Sequence, residues 1–261
     1  MSFLKQLYKS LYAPREISRY RFQKIGRTII YIFLLSFLSV IPTSIHLHNI
    51  ITTEFGFIKE VVEAEVPDFT IENGQLQTSG NEPLIKEGDN VTFVFDPNET
   101  TIENSSLQHD DGIFFLKDKV ISNIQGQKET FSYSSLDGIV ITKQDIVDFI
   151  QTAENIYPIV LAVLVLILFL SGSFTTFIGV TLLGLAGMFL AREMNRKLNY
   201  KQIWTLSAYS VTIPTIFFMI MDFLNTAVPQ SFIIFTAVSI LVLYLTMKEV
   251  PASKKTGKQT Q

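Results

Sequence analysis

Residues 156–190 read IYPIVLAVLVLILFLSGSFTTFIGVTLLGLAGMFL, with no charged side chain anywhere in the run. About 20 apolar residues cross a bilayer core upright, so this run is too long for one untilted span. Two readings compete. The run is a hairpin bent at Ser171-Gly172-Ser173, or it is a single long crossing. The charges that follow it arbitrate. A hairpin would place Arg192, Arg196, Lys197 and Lys201 outside the cell, together with Lys248, Lys254, Lys255 and Lys258. Basic residues favour the cytoplasmic side, which opposes that arrangement. A single crossing keeps all of them inside. One long helix is therefore expected, with tilt or a kink absorbing the excess length.

Working outward, 15 of the 21 Lys and Arg residues lie before Thr28, between Arg192 and Lys201, or after Met247. Arg15, Arg19, Arg21 and Arg27 precede the first apolar run and hold its start in the cytoplasm. The acidic residues crowd into 51–155, which carries 20 Asp and Glu against 6 Lys and Arg, a net charge of −14. The rest of the chain carries +11, so the overall −3 is a cancellation. Of the 261 residues, 48% are hydrophobic and 17% charged. A soluble domain usually has about 25% charged residues. There is no cysteine, which excludes disulfides, thiolate nucleophiles and Cys-ligated zinc.

These patterns predict an α-helical membrane protein with four transmembrane helices and a small α+β extracytoplasmic domain between helices 1 and 2. The expected order begins with a basic amphipathic cytoplasmic segment, 1–27, and a first membrane helix, 28–50. The extracytoplasmic domain follows at 51–155, then the long second helix at 156–190 and a basic cytoplasmic loop at 191–202. A third helix at 203–224, a short outer turn with the fourth helix at 225–247, and a cytoplasmic tail at 248–261 complete it. The first helix reads as an uncleaved anchor, because Pro42-Thr43-Ser44-Ile45 is a poor cleavage site. Both ends are expected in the cytoplasm of a bacterial cell, with the bilayer itself as one partner.

Phe3, Leu4, Leu7, Tyr8, Leu11 and Tyr12 recur at helical spacing among lysines. Such a helix lies in the headgroup region or packs on the inner ends of the other helices. Pro14 ends it. Phe55, Ile58, Val61, Val62 and Val66 predict a short helix leaving the membrane. Alternation predicts strands at Phe69–Glu72, Val91–Phe95, Ile113–Leu116 and Phe131–Tyr133. Turn residues separate them, among them Asn73-Gly74, Asp96-Pro97-Asn98 and Asp111-Gly112. Thr142 with Asp145 marks a helix start in the manner of a capping box. Pro158 reads as a fresh start for the membrane helix that follows.

Candidate sites are few. Asp222 is the acidic residue nearest an apolar span, and Pro214 before it predicts a bend that frees a carbonyl. Together they make a candidate transport or coupling site. Gly172, Gly179 and Gly187, with Thr176 and Ala186, place small side chains along the long helix. They predict helix packing first and homo-oligomer formation second. Gly184 lies off that stripe. His46 and His48 could join His109 and Asp110 around a metal, but on a helix the two rings diverge, so ordinary interfacial residues are the better reading. The acidic turns at Asp96 and Asp110-Asp111 lack the alternating oxygen ligands of a calcium loop and read as solvated hairpin turns. No Ser-His-Asp set, Walker loop, G-x-G-x-x-G or H-E-x-x-H is present. No enzyme activity, cofactor, metal or nucleic-acid partner is expected.

Tyr12-Ala-Pro14, Arg21-Phe-Gln-Lys-Ile-Gly26, Val66-Pro-Asp-Phe-Thr-Ile-Glu-Asn-Gly74, Val94-Phe-Asp96 and Gly112-Ile-Phe-Phe-Leu-Lys-Asp-Lys119 form a recurring set. It resembles the pattern of the DUF1189 family of uncharacterised membrane proteins from low-GC Gram-positive bacteria, over about Phe3 to Met247. More distantly, the membrane part resembles Yip1-like bundles. Some members of the family carry a maltodextrin-utilisation label and sit near sugar-transport genes. The resemblance thus implies an accessory role beside another membrane protein, such as a sugar transporter. It assigns no catalytic residue. The expected function is an accessory or sensing membrane protein; the alternative is a small transporter or transporter subunit built on Asp222 and the glycines.

Overall fold

The computed structural model describes residues 2–80, 82–101, 111–124, 126–136 and 138–252. They divide into two compact units, one of residues 1–46 and 163–261, the other of residues 47–162. Two long helices, α3 (Ile25–Ala64) and α4 (Lys143–Glu193), contribute residues to both.

In the first unit, α1 (Phe3–Ser10) and α2 (Pro14–Tyr20) precede α3. Pro14 both ends the first helix and occupies the first turn of the second, where its missing N–H has no partner to lose. Of the two readings of the N-terminal segment, packing is the one seen for one face. Gln6, Ser10 and Ile17 are buried, and α1 and α2 lie on the later helices. Leu4, Tyr8 and Tyr12 remain exposed.

The predicted first span is part of a single 40-residue helix, α3. The apolar stripe Phe55–Val62 is its continuation rather than a separate short helix. Residues 156–190 likewise belong to a 51-residue helix, α4, which has Pro158 and Ser171-Gly172-Ser173 in its interior. No hairpin forms at Ser171, and Pro158 starts no new helix; the helix begins at the expected cap instead. There the Asp145 carboxylate accepts from the Thr142 N–H (2.8 Å) and hydroxyl (2.6 Å). The Asp145 N–H in turn donates to Thr142 Oγ1 at 3.2 Å, a reciprocal cap. Helix α4 ends where Asn195 takes a left-handed conformation. The Arg196 N–H then reaches the Ala191 carbonyl (2.8 Å) and the Asn195 N–H that of Arg192 (3.1 Å), a Schellman closure.

The third apolar run is two helices, α5 (Tyr200–Ser210) and α6 (Thr212–Phe223), meeting at Val211. Pro214 explains the break. It cannot donate to the Ser210 carbonyl one turn back, and its ring crowds that carbonyl. A second left-handed asparagine, Asn225, closes α6 before α7 (Ser231–Lys248). Among the described residues, four stretches are long and apolar enough to cross a membrane: α3, α4, α5 with α6, and α7. In the most apolar window of α4, only 6% of residues are buried.

The core of the first unit gathers around Tyr209. Its ring packs on Tyr20 and Tyr31, with centroids 4.7 and 4.1 Å away. Its single hydroxyl proton is shared between the side-chain oxygens of Gln6 (3.0 Å) and Gln23 (3.2 Å), which both accept. Thr212 Oγ1 donates to the Tyr209 carbonyl (2.7 Å), so the Tyr31 hydroxyl, also 2.7 Å away, donates to Thr212. The buried amide of Gln6 is thus hydrogen-bonded, as a buried polar group must be.

The second unit holds two sheets. Strands β1 (Phe69–Glu72), β2 (Gln75–Thr78) and β8 (Ile141–Thr142) form an antiparallel sheet in the order β2-β1-β8. Strands β3 (Leu84–Glu87), β4 (Thr92–Asp96), β5 (Gly112–Leu116), β6 (Lys119–Ile124) and β7 (Gln127–Ser132) pair in sequence order. Asn73 and Gly74 both have positive φ and make the tight β1–β2 turn, as their sequence predicts. The pair β4–β5 is parallel, with Thr92 opposite Gly112. Asp96-Pro97-Asn98 and Asp111-Gly112 are therefore the ends of a crossover, not hairpin turns, because parallel neighbours cannot be joined by a tight turn. Tyr133 lies beyond the strand, in a single 3-10 turn, Tyr133–Leu136. Val61, Val62, Phe69, Phe93, Phe95 and Ile150 form the main core between the helices and the sheets.

Candidate functional site

Among the described residues each unit carries a groove, and the two differ in chemistry. The groove of the first unit encloses about 830 Å³ and runs between α4, α6 and α7, lined by Gly179, Leu183, Phe218, Asp222 and Phe235. Asp222 is exposed near the end of α6. Its backbone carbonyl accepts from His46 Nε2 at 2.8 Å. Pro214 does not line the groove; its effect is the break at Val211.

The three glycines expected to pack helices behave differently. A Cβ at Gly187 would come within 2.7 Å of Ile203 Cγ2 and 3.0 Å of Leu243 Cδ2, so α4 meets α5 and α7 closely there. At Gly172 the nearest atom is Val40 Cγ2 at 3.9 Å, an ordinary contact. At Gly179 nothing lies within 4 Å, because it faces the groove; the packing role expected of it is not seen. Gly184, set off the stripe, does pack, with Trp204 atoms at 3.6 Å from its Cβ position.

Basic residues lie on α2 and in or beside the turn that joins α4 to α5. Helix α2, with Arg15 and Arg19, packs on α5 and α7. Arg196 Nη2 donates to the Lys248 carbonyl (3.2 Å), joining the turn after α4 to the end of α7. Arg192, Lys197 and Lys201 are exposed in or beside that turn. Arg21 donates to the Ser18 carbonyl, and Arg27 stacks over the Phe3 ring at 5.2 Å. Glu16 accepts from Lys9 and Arg19, both at 2.7 Å. The hydrogen bond from Lys9 holds its carboxyl below the usual range.

His48 is hydrogen-bonded to the Tyr157 hydroxyl through Nδ1 at 2.9 Å. The two histidines thus serve different contacts. His109 and Asp110 lie outside the described residues. Among the described residues, no three His, Asp or Glu side chains converge as a metal site would need.

The groove of the second unit has no counterpart among the expectations from sequence. It encloses about 1020 Å³ and its wall is almost wholly apolar, with Ile51, Phe55, Ile113, Phe115, Phe131 and Phe149 prominent. Helix α3, strands β5 and β7 and helix α4 supply those side chains. Among the few polar side chains in the wall are Glu54, Asn90 and Tyr133. Glu54 is only 8% exposed. Its Oε1 accepts from Asn90 Nδ2 at 2.7 Å, while Oε2 is buried without a hydrogen-bond partner among the described residues. The Tyr133 hydroxyl is also buried and unpartnered among them, and burial raises its pKa, so it stays protonated. A sequence signal existed. Ile51, Glu54, Phe55, Ile58 and Val62 fall on one helical stripe, and Glu54 is a carboxylate set within it.

Fold and sites together define a helix-rich protein. Among the described residues it combines four helical stretches long and apolar enough to cross a membrane with a β-containing unit that holds an apolar groove. The family model described as "Protein of unknown function (DUF1189)" matches residues 4–247, and the chain belongs to that family. No curated protein and no solved structure gives a significant match.

Proposed function

We propose that this chain is a four-span bacterial membrane protein with both ends in the cytoplasm. In this reading its acidic, groove-bearing unit lies outside the cell and acts as an accessory or sensing module for a membrane complex. The observation that carries the reading is charge segregation. Arg15 and Arg19 lie on α2, which packs on α5 and α7, and Arg196, Lys197 and Lys201 lie in or beside the turn between α4 and α5, while residues 51–155 carry −14. Basic ends stay inside and acidic domains translocate freely. The long, uncovered apolar surface of α4 further supports burial in lipid. Because α3 and α4 belong to both units, a ligand-dependent change in one has a direct covalent route to the other. The maltodextrin label within the family makes a sugar-transport permease the first partner to seek.

The absence of cysteine makes the topology testable with single introduced thiols. Ser79→Cys should react with an impermeant maleimide in intact cells, and Lys197→Cys only after lysis. The reverse pattern overturns the topology. Affinity capture after mild cross-linking then tests the accessory role, which a permease among the captured proteins would support.

A second reading, a small transporter, draws on Asp222 lining the groove of the first unit. If Asp222 carries a coupled proton, proteoliposomes should show proton flux that Asp222→Asn abolishes. Equal flux in both removes this reading.

A further inference from the structure

We propose that the groove of the second unit binds a single-chain amphiphile whose polar end is a primary ammonium, with Glu54 as its counter-ion. The argument begins with the carboxylate. Glu54 is 8% exposed and uses one oxygen, on Asn90. Its other oxygen is buried and unpartnered among the described residues. None of the ion pairs among the described residues includes it. The lysines on neighbouring elements are engaged elsewhere, Lys59 with Glu154 and Lys143 with the Glu63 and Val66 carbonyls. A buried charge is paired in a stable protein, and no described residue supplies the partner, so a cation or hydrogen-bond donor held in the groove would complete the site.

The rest of the wall sets the shape of that partner. About 1020 Å³ lies at the upper end of small-molecule sites, room for a long chain as well as a head. The lining is overwhelmingly apolar, and the hydrophobic Ile50, Ile124, Phe131 and Phe149 remain about half exposed or more along it. An oligosaccharide fits poorly, since its many hydroxyls would lose water without finding partners. A peptide fits poorly for the same reason, as its backbone amides would be buried against hydrocarbon. An anionic amphiphile would meet Glu54 within a segment of net charge −14. An ammonium offers three donors and no acceptor, which suits an unpartnered carboxylate oxygen and the hydroxyl oxygen of Tyr133, which lines the same groove.

The proposal rests on the sensing reading only for the side of the membrane on which the ligand is met. Its test uses the full chain in lipid nanodiscs and a diazirine-bearing hexadecylamine, with the same chain ending in a carboxylate as comparator. After irradiation, adducts are mapped by mass spectrometry. The amine probe should label peptides within 50–62 and 113–150, at least ten-fold more than the carboxylate probe does. Unlabelled hexadecylamine should suppress that labelling. Glu54→Gln should reduce it ten-fold or more, and Ile113→Trp, which fills the groove and leaves Glu54 in place, should remove it. Equal labelling by the two head groups, labelling confined to the lipid-facing surface of the apolar helices, or wild-type labelling of Glu54→Gln would overturn the proposal. The head-group comparison uses the wild-type chain alone, so misfolding of a mutant does not affect its outcome. Thiol accessibility decides the topology separately: correct topology without selective labelling removes this ligand alone.

Discussion

At the scale of single residues, Gly187 and Gly179 share one helix but not one environment. Alanine at Gly187 forces Ile203 or Leu243 to move and should cost about 1–3 kcal/mol, the usual penalty of overpacking. Alanine at Gly179 meets open space and should gain up to about 1 kcal/mol from helix propensity. Thermal unfolding in detergent micelles should show a lower midpoint for the first variant and an equal or higher one for the second. Equal losses at both would contradict this account of the glycines. Glu16 makes a pH prediction. Its folded pKa is lowered, chiefly by the hydrogen bond from Lys9. Its contribution is therefore present above the unfolded carboxylate pKa and is lost as pH falls through the folded value. Glu16 is a surface group, so the effect is small. Comparing wild type with Glu16→Gln across acid titration should show the shallower decline in the variant.

Among the elements, the parallel pair β4–β5 is the least tolerant. A Cβ on Gly112 would stand 2.5 Å from the Thr92 carbonyl oxygen, a backbone atom that cannot swing aside. Gly112→Ala should destabilise the second unit by about 1–3 kcal/mol or separate the two strands. Hydrogen exchange of the β4 and β5 amides should accelerate, while the amides of α5 keep wild-type protection. The asparagine closures of α4 and α6 and the Thr142–Asp145 cap show how far local chemistry reaches. Each satisfies orphaned helix-end groups through neighbours in sequence, and so each could be read from the chain. The break at Val211 was only half legible. Pro214 announced a disturbance, but the position one turn earlier follows from which carbonyl its ring displaces.

For the molecule as a whole, the proposed topology rests on charge bias. Neutralising Arg192, Arg196, Lys197 and Lys201 together to Gln should weaken that bias. The fraction of Ser79→Cys labelled in intact cells should fall relative to the parent, and an unchanged fraction would assign topology to the N-terminal arginines instead.

Composition, charge placement and apolar run length were enough to predict four apolar stretches of spanning length, the acidic β-containing insertion and its Asn73-Gly74 turn. These are properties of neighbouring residues, and periodicity or length encodes them directly. The extension of α3 and α4 past the apolar runs was not legible, because a helix continues through polar residues without any break in hydrogen bonding. Nor was the cluster at Tyr209, whose partners Gln6, Tyr20, Gln23 and Tyr31 lie far away in the chain. The groove beside Glu54 depended on folding in the same way. Its carboxylate comes from α3, its aromatic wall from β5, β7 and α4, and its Tyr133 from the turn after the sheet. The strand order, with β4 and β5 parallel, and the packing of the helices on the sheets bring those distant segments together, and no local pattern specifies which side chains then share a cavity.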